Sequence, residues 1–206
     1  MTTPPYRIET ERTVIRCWNP ADGPLLKDAI DASLDHLREW MPWAMHEPEP
    51  VEAKVQRLRH FRANFDLDKD YVYGIFNQDE SLVLGGTGLH TRVGKGAFEI
   101  GYWIRASHIN QGLATEISAA LTRVAFDLCA VNRVEIHCDP HNVRSAAVPR
   151  KLGYVHEATL RHRTVTPTGD PRDTMIWTIL AEEFQRSPAA KAQMRTYDAA
   201  GQMRKG

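Results

Sequence analysis

Between residues 71 and 105 the chain carries three runs of strand-forming residues, 71–76, 82–93 and 97–105, separated by Asn77-Gln78-Asp79 and Gly94-Lys95-Gly96. Both links are too short for a crossover connection and have the turn chemistry that joins neighbouring antiparallel strands. The stretch predicts a three-stranded meander, which any fold for this chain must accommodate. The hydrophobic period then changes. Residues 112–128 place Leu113, Ile117, Leu121, Val124 and Leu128 along one stripe, the clearest helical pattern in the sequence. A strand over 133–138, a short helix over 142–151 opened by Asn142 as N-cap, and closing strands over 154–163 and 174–180 follow. Upstream, 6–18 reads as one extended strand ended by Asn19-Pro20. Residues 22–40 and 51–65 read as helices. A meander followed by strand–helix alternation describes an α+β (mixed α/β) sheet flanked by helices.

With 206 residues and about 150 residues per domain as a guide, one domain over 1–185 is expected. Beyond Phe184 the composition turns polar and small, so 186–206 is read as a C-terminal tail, helical or disordered. Lys and Arg (26) balance Asp and Glu (26), which argues against strong nucleic-acid binding, whose footprint is normally basic. No apolar stretch approaches the roughly 18 residues of a membrane span, and the first residues lack the apolar core of a secretory signal. Cys17, Cys129 and Cys138 are too few and too scattered for a disulfide framework. A cytoplasmic protein without membrane contact is expected.

The segment richest in chemistry is Phe98-Glu99-Ile100-Gly101-Tyr102-Trp103-Ile104, followed by Asn110-Gln111-Gly112-Leu113-Ala114-Thr115-Glu116. A strand here feeds a glycine-containing turn that opens an amphipathic helix. Unpaired N–H groups of a first helical turn, reinforced by the helix dipole, form an anion cradle suited to a pyrophosphate. Gly112 and Ala114 lack bulk, and Thr115 adds a hydroxyl donor. The same residues also suit a simple packing turn. Other phosphate patterns fail: Gly86-Thr87-Gly88 has Thr91 where a third glycine is needed, and Gly94-Lys95 lacks the rest of a P-loop. No metal site is expected, because the alternation of His137-Cys138-Asp139-Pro140-His141 along a strand sends the ligands apart and no second pair completes four.

A second cluster runs Asp139-Pro140-His141-Asn142-Val143-Arg144-Ser145 and on to Lys151-Leu152-Gly153-Tyr154. Gly-Tyr-Trp-Ile at a strand end, the Gln-Gly-x-Ala-Thr-Glu helix opening, and Asn-x-x-Ser before Lys-Leu-Gly-Tyr together resemble the GNAT superfamily of acyl-CoA N-acyltransferases. The resemblance spans roughly 6–182. It is strongest to the ribosomal-protein N-terminal acetyltransferases of the RimJ/RimL type, which the Glu39-Trp40-Met41-Pro42-Trp43 run also fits. It implies a mixed, mainly antiparallel sheet whose fourth and fifth strands, here 97–104 and 133–138, splay apart around the cofactor thioester. It further implies that the main chain of Trp103, Ile104 and Arg105 pairs with the pantetheine arm, and that the amides of Asn110, Gln111, Gly112, Leu113, Ala114 and Thr115 surround the pyrophosphate. Gly101 stands where a bulge or close backbone approach is tolerated.

By the same resemblance Ser145 is the proton donor to the leaving thiolate, with an ordinary first-turn serine as the alternative. Asn142 caps its helix and binds the cofactor's amide arm. Pro149 should free the carbonyl of Ser145 from its helical hydrogen bond. Glu99 is the candidate base, acting through a water, or else a structural ion pair, with His90 and Asp139 as more remote bases. Thr164 occupies the position of a carboxylate in some relatives and cannot replace it. Ile109 stands where the family loop usually has Gln or Arg, so a side-chain phosphate donor is lost or supplied by a neighbour. Trp40, Met41 and Trp43 line the acceptor end of the groove or plug the sheet edge.

The activity implied is acyl transfer from acetyl-CoA, or another acyl-CoA, to an amine by direct attack in a ternary complex, with no metal. An α-amine of pKa about 7.8 is neutral roughly 14% of the time at pH 7, against about 0.04% for lysine, a gap of about 3.5 kcal/mol. The α-amino group of a protein or peptide is therefore the acceptor expected, with a small-molecule amine or a succinyl-type donor as alternatives. A CoA-binding sensor or scaffold without turnover is the competing class, favoured by Ile109 and Thr164. The expected partners are acyl-CoA and the acceptor, with a homodimer left open.

Overall fold

A computed structural model of the chain describes residues 3–204. Its sheet strands are β1 Arg7–Glu9, β2 Val14–Cys17, β3 Tyr71–Phe76, β4 Val83–His90, β5 Ala97–Ile104, β6 Arg133–Cys138, β7 Val155–Val165, β8 Pro171–Leu180, β9 Arg195–Tyr197 and β10 Met203–Arg204. Its helices are α1 Gly23–Asp31, α2 Leu34–Trp40, α3 Val51–Asp66, α4 Leu113–Arg123, α5 Val143–Leu152 and α6 Ala181–Phe184. The strands form one sheet in the order β10-β9-β1-β2-β3-β4-β5-β6-β8-β7. The meander β3-β4-β5 is antiparallel as its turns require, and the only parallel pair among the described residues is β5 with β6, the two strands joined through α4.

Alternation along the strands builds two cores. Tyr71, Tyr73 and Ile75 face the side covered by Ile117 and Leu121 of α4 and by Val124 just after it. Phe76 and Val83 face the other side, where they meet Trp18 and Leu26, Ile30 and Leu37 of α1 and α2. Each fully buried aliphatic side chain contributes about 1.5–3 kcal/mol, so α4 is anchored by its whole stripe. The α4 pattern expected to run to Leu128 widens at its end into a π-helical turn, Val124–Leu128.

Three sequence expectations change. The single strand over 6–18 is a hairpin, β1 and β2, turned where Thr13 accepts hydrogen bonds from Thr10 through its carbonyl. The helix over 22–40 is two, because the Ser33 hydroxyl bonds back to the carbonyl of Ala29 and also accepts the amide of Ala106. Finally, 186–206, read as a helical or disordered tail, is ordered where it is described: a short 3-10 turn over Pro188–Lys191 buries Ala189 and two short strands follow. Arg195–Tyr197 adds to the edge of β1, and Met203–Arg204 adds to β9. Three-residue strands carry too little periodicity to be read from sequence; the backbone pairing offered by the β1 edge decides their form.

Candidate active site

β5 and β6 pair only from Ala97 to Glu99 and from Arg133 to Glu135. Beyond Glu99, β5 continues to Ile104 on its β4 partner alone, and β6 turns away towards β8. The splay expected from the resemblance is therefore present. It opens a cleft of about 1400 Å³, joined at Trp40, Met41, Tyr102, Trp103, Asn142 and Ser145 to a second cavity of about 700 Å³ that reaches the start of α4.

At that far end Gly112 is the N-cap of α4 with φ +80°, and Asn110 also has a positive φ, +61°. Glycine adopts this left-handed conformation without the penalty a Cβ imposes. A Cβ at Gly112 would meet nothing closer than 3.7 Å, so backbone conformation, and not crowding, requires glycine there. No side chain caps the amides of Leu113, Ala114 and Thr115 among the described residues, and Leu113, Ala114, Asn110 and Thr115 line the second cavity. Gln111 has its carbonyl held from outside by Arg12 Nη1 at 2.9 Å, while the Arg12 guanidinium pairs with Glu116 at 2.6 Å. Arg12, from the distant β1–β2 hairpin, therefore braces the loop from behind, its guanidinium taken up by the Gln111 carbonyl and Glu116. Nothing in local sequence marks Arg12, since the contact joins positions 99 apart.

Side chains of β5 divide the cleft by face. Tyr102 shares its side with Ser145, whereas Glu99, Gly101 and Trp103 point to the other. Ser145 sits in the first turn of α5, its amide bound by the Asn142 side-chain oxygen at 3.0 Å, so Asn142 is the helix cap expected. α5 runs unbroken past Pro149, which has no N–H for the Ser145 carbonyl. The Tyr102 hydroxyl takes that place, lying 3.2 Å from the carbonyl oxygen and 3.1 Å from Ser145 Oγ. Burial pushes the Tyr102 hydroxyl well above its ordinary pKa, so it stays a proton donor. Tyr102 stands inside the Gly-Tyr-Trp-Ile run, but only the facing of α5 against β5 gives it this role. Cys138 lies on the same side. Burial pushes its thiol up to about 11, which keeps it protonated and unreactive near neutrality.

On the opposite face Glu99 is buried at 6% exposure. Arg92 Nε donates to it at 2.7 Å and a second guanidinium nitrogen completes a bidentate pair; His137 Nδ1 stands 3.6 Å away. Burial alone would raise the Glu99 pKa, but the Arg92 hydrogen bonds and the positive potential of His137 and Arg92 outweigh it and hold the carboxyl below its ordinary value. Of the two roles anticipated, this geometry is the ion pair, and a carboxylate so stabilised is a weak base. Gly101 is in register with Gly88 and forms no bulge. Trp43 meets Trp103 edge-on, with centroids 6.2 Å apart, and Trp40, Met41 and Trp43 all line the larger cleft. Ile104 is buried on β5, while Arg105 uses its amide on Leu84 at 2.8 Å and its side chain on Asp28 at 2.6 Å. Thr164 lines the cleft and accepts Arg172 Nε at 3.3 Å, so a cation stands where a carboxylate was sought. No group of three or more His, Cys, Asp or Glu side chains able to hold a metal occurs among the described residues.

Comparison with known proteins agrees with this geometry. The chain is 25% identical over 160 residues to the [ribosomal protein uS5]-alanine N-acetyltransferase of Escherichia coli (strain K12), covering 75% of this chain and 80% of that one. It is 24% identical over 174 residues to the uncharacterized N-acetyltransferase YoaA of Bacillus subtilis (strain 168), covering 84% and 96%. Mycobacterium smegmatis RimJ in complex with CoA-disulfide has the same fold, with a TM-score of 0.77 at 24% identity over 92% of this chain and 91% of that one. The family model described as an acetyltransferase (GNAT) domain matches residues 12–155, and the chain belongs to that family.

Proposed function

We propose that this GNAT N-acetyltransferase moves an acetyl group from acetyl-CoA to the α-amino group of a protein or peptide, by direct attack within a ternary complex. The observation that carries the reading is the parting of β5 and β6 after Glu99 and Glu135, with bare amides at one end of the opening and Ser145 beside Tyr102 at its throat. A diphosphate fits the amides of Gln111 to Thr115, and the free side of β5 at Ile104, whose main chain points away from β4, suits the amide arm, with Asn142 across the gap. RimJ's complex with a CoA disulfide and the uS5-alanine activity of the Escherichia coli relative support this reading.

Ser145 then lies on the sulfur side, where its hydroxyl protonates the departing thiolate, and Tyr102 fixes that hydroxyl. On the opposite face Glu99 is engaged by Arg92 and serves as a structural ion pair that braces β5 against the β4–β5 turn. Trp40, Met41 and Trp43 form the wall against which the acceptor's first side chains pack. An α-amine suits such a site because it needs about 3.5 kcal/mol less deprotonation than lysine at the same pH. The test is thiol release from acetyl-CoA with peptides bearing a free N-terminus, the same peptides blocked at the N-terminus but containing lysine, and small polyamines or amino acids. Release confined to free N-termini is expected. Release with the small amines alone would replace the acceptor, and CoA binding without release from any amine would favour the sensor.

A further inference from the structure

Proton removal from the attacking nitrogen has no owner in the site as described. Glu99 is doubly bound by Arg92. His137 has Nε2 on Glu135 at 2.7 Å and turns Nδ1 towards Glu99, and Asp139 is occupied by His141. One further titratable pair faces the cleft from the acceptor side, His90 and Asp70.

His90 closes β4 and pairs across the ladder with Glu99, so its imidazole lies on the Glu99–Gly101–Trp103 face. Asp70, just before β3, takes one edge of the ring, its two carboxylate oxygens 3.1 and 3.0 Å from Nδ1. A carboxylate only accepts, so the contact keeps a proton on Nδ1 and leaves the lone pair on Nε2. Nε2 has no hydrogen-bond partner among the described residues. It lies instead over two glycines that face each other across β4 and β5: a Cβ at Gly88 would stand 2.8 Å from Nε2 and one at Gly101 3.2 Å from it. Neither glycine has a positive φ, so neither is there for a turn. Their bareness lets the ring lie along the sheet and bring Nε2 to the stretch of β5 that β6 has left. The His90 side chain is 18% exposed, open to the cleft yet held.

We propose that His90 is the base that takes the proton from the attacking amine, and that Asp70 is the positioning residue that fixes its tautomer. The proposal rests on the acyl-transfer reading above. As the nitrogen–carbon bond forms, Nε2 accepts the proton from nitrogen. The carbon–sulfur bond breaks with its electron pair going to sulfur, and Ser145, on the opposite face of β5, protonates the sulfur. The imidazolium then gives up its proton to water and Ser145 regains one, leaving the amide, the free thiol and an unchanged enzyme. Base and acid thus act from opposite sides of one strand. The charged and titratable groups around the ring are Asp70 before β3, Arg92 and Glu99 from the β4–β5 hairpin, and Glu135 and His137 from β6.

The test is steady-state kinetics of His90→Gln and Asp70→Asn with acetyl-CoA and a peptide that the parent chain acetylates. General bases contribute typically 10²–10⁴-fold, so His90→Gln should lower kcat about 100-fold at pH 7, with KM for acetyl-CoA and the melting temperature unchanged. The deficit should shrink at pH 9, where hydroxide takes over removal of the proton from the attacking nitrogen, and added imidazole should restore part of the rate to His90→Ala. Asp70→Asn, which leaves the ring in place, should lose about 10-fold with the same pH trend. A fall of less than threefold in His90→Gln, or an equal loss at every pH without imidazole rescue, overturns the assignment while leaving acyl transfer intact. If His90→Gln does not fold, a normal Asp70→Asn pH profile overturns it. Absence of turnover by the parent chain with every amine overturns the acyl-transfer reading and the base together.

Discussion

Ser145 and Glu99 show how the same residue types acquire different uses from their surroundings. Ser145 is fixed from two directions, by the Asn142 cap on its amide and by Tyr102 at its hydroxyl. Replacing it with alanine should lower kcat about 10- to 100-fold with CoA affinity unchanged within twofold, measured by thiol release and calorimetry; unchanged turnover would remove Ser145 from the mechanism. Glu99 depends on Arg92. Its folded pKa lies below the ordinary value, so its contribution to stability is present above the unfolded pKa, near 4.3, and is lost as pH falls through the folded value. Arg92→Ala leaves burial to dominate and reverses this sign. Because the Arg92 side chain is 63% exposed, we expect a loss of about 2 kcal/mol at pH 7, below the cost of breaking a fully buried pair. That loss should narrow as pH is lowered towards 5, as urea unfolding of both proteins would show. Ser145 and Asn142 were legible because they fall in a spaced motif. Tyr102 and Arg12 were not, since each acts on a segment 43 or more positions away.

At the scale of elements, the helix α4 is where sequence pattern and the proposed function coincide. Its apolar stripe sinks into the core through Ile117 and Leu121, both fully buried, which fixes the helix and therefore the direction its first amides face. The turn before it is held by conformation at Gly112. Gly112→Val should strain that turn by about 1–2 kcal/mol and tilt the amides of residues 113–115, weakening CoA binding at least 10-fold by calorimetry; normal affinity would contradict the cradle. Periodicity fixed the existence of α3, β3, β5, β6 and α5 because each has a buried face several residues long. It missed the break at Ser33, where one hydroxyl exchanges helical continuity for a bond to Ala106. The hairpin in 6–18 was hidden for a related reason, as Thr10 and Thr13 are also good strand residues.

Across the whole molecule the sheet has two ends with different duties. The cleft lies between β5 and β6, while the chain's last described strands close the opposite edge on β1. Tyr6 donates its amide to Tyr197, and Thr196 is buried there. Ending the chain after Gln193 should cost about 2–4 kcal/mol in stability by stripping β1 of its neighbour, yet leave CoA affinity of the folded protein unchanged, since four strands separate that edge from the cleft. Thermal unfolding with and without CoA measures both. Mixed sheet and splayed pair were legible because several motifs in the right order converge on one family; the full lining of the cleft was not, because it is assembled from segments remote in sequence, Trp40 and Met41, Trp103, and Thr164 with Arg172.

The most direct measurement is a crystal structure with acetyl-CoA bound. The account predicts the diphosphate within hydrogen-bonding distance of the amides between Gln111 and Thr115, the thioester between β5 and β6, and its sulfur next to Ser145 Oγ. A gap between those strands closed or filled by side chains, with the coenzyme bound elsewhere or absent at millimolar concentration, would contradict it.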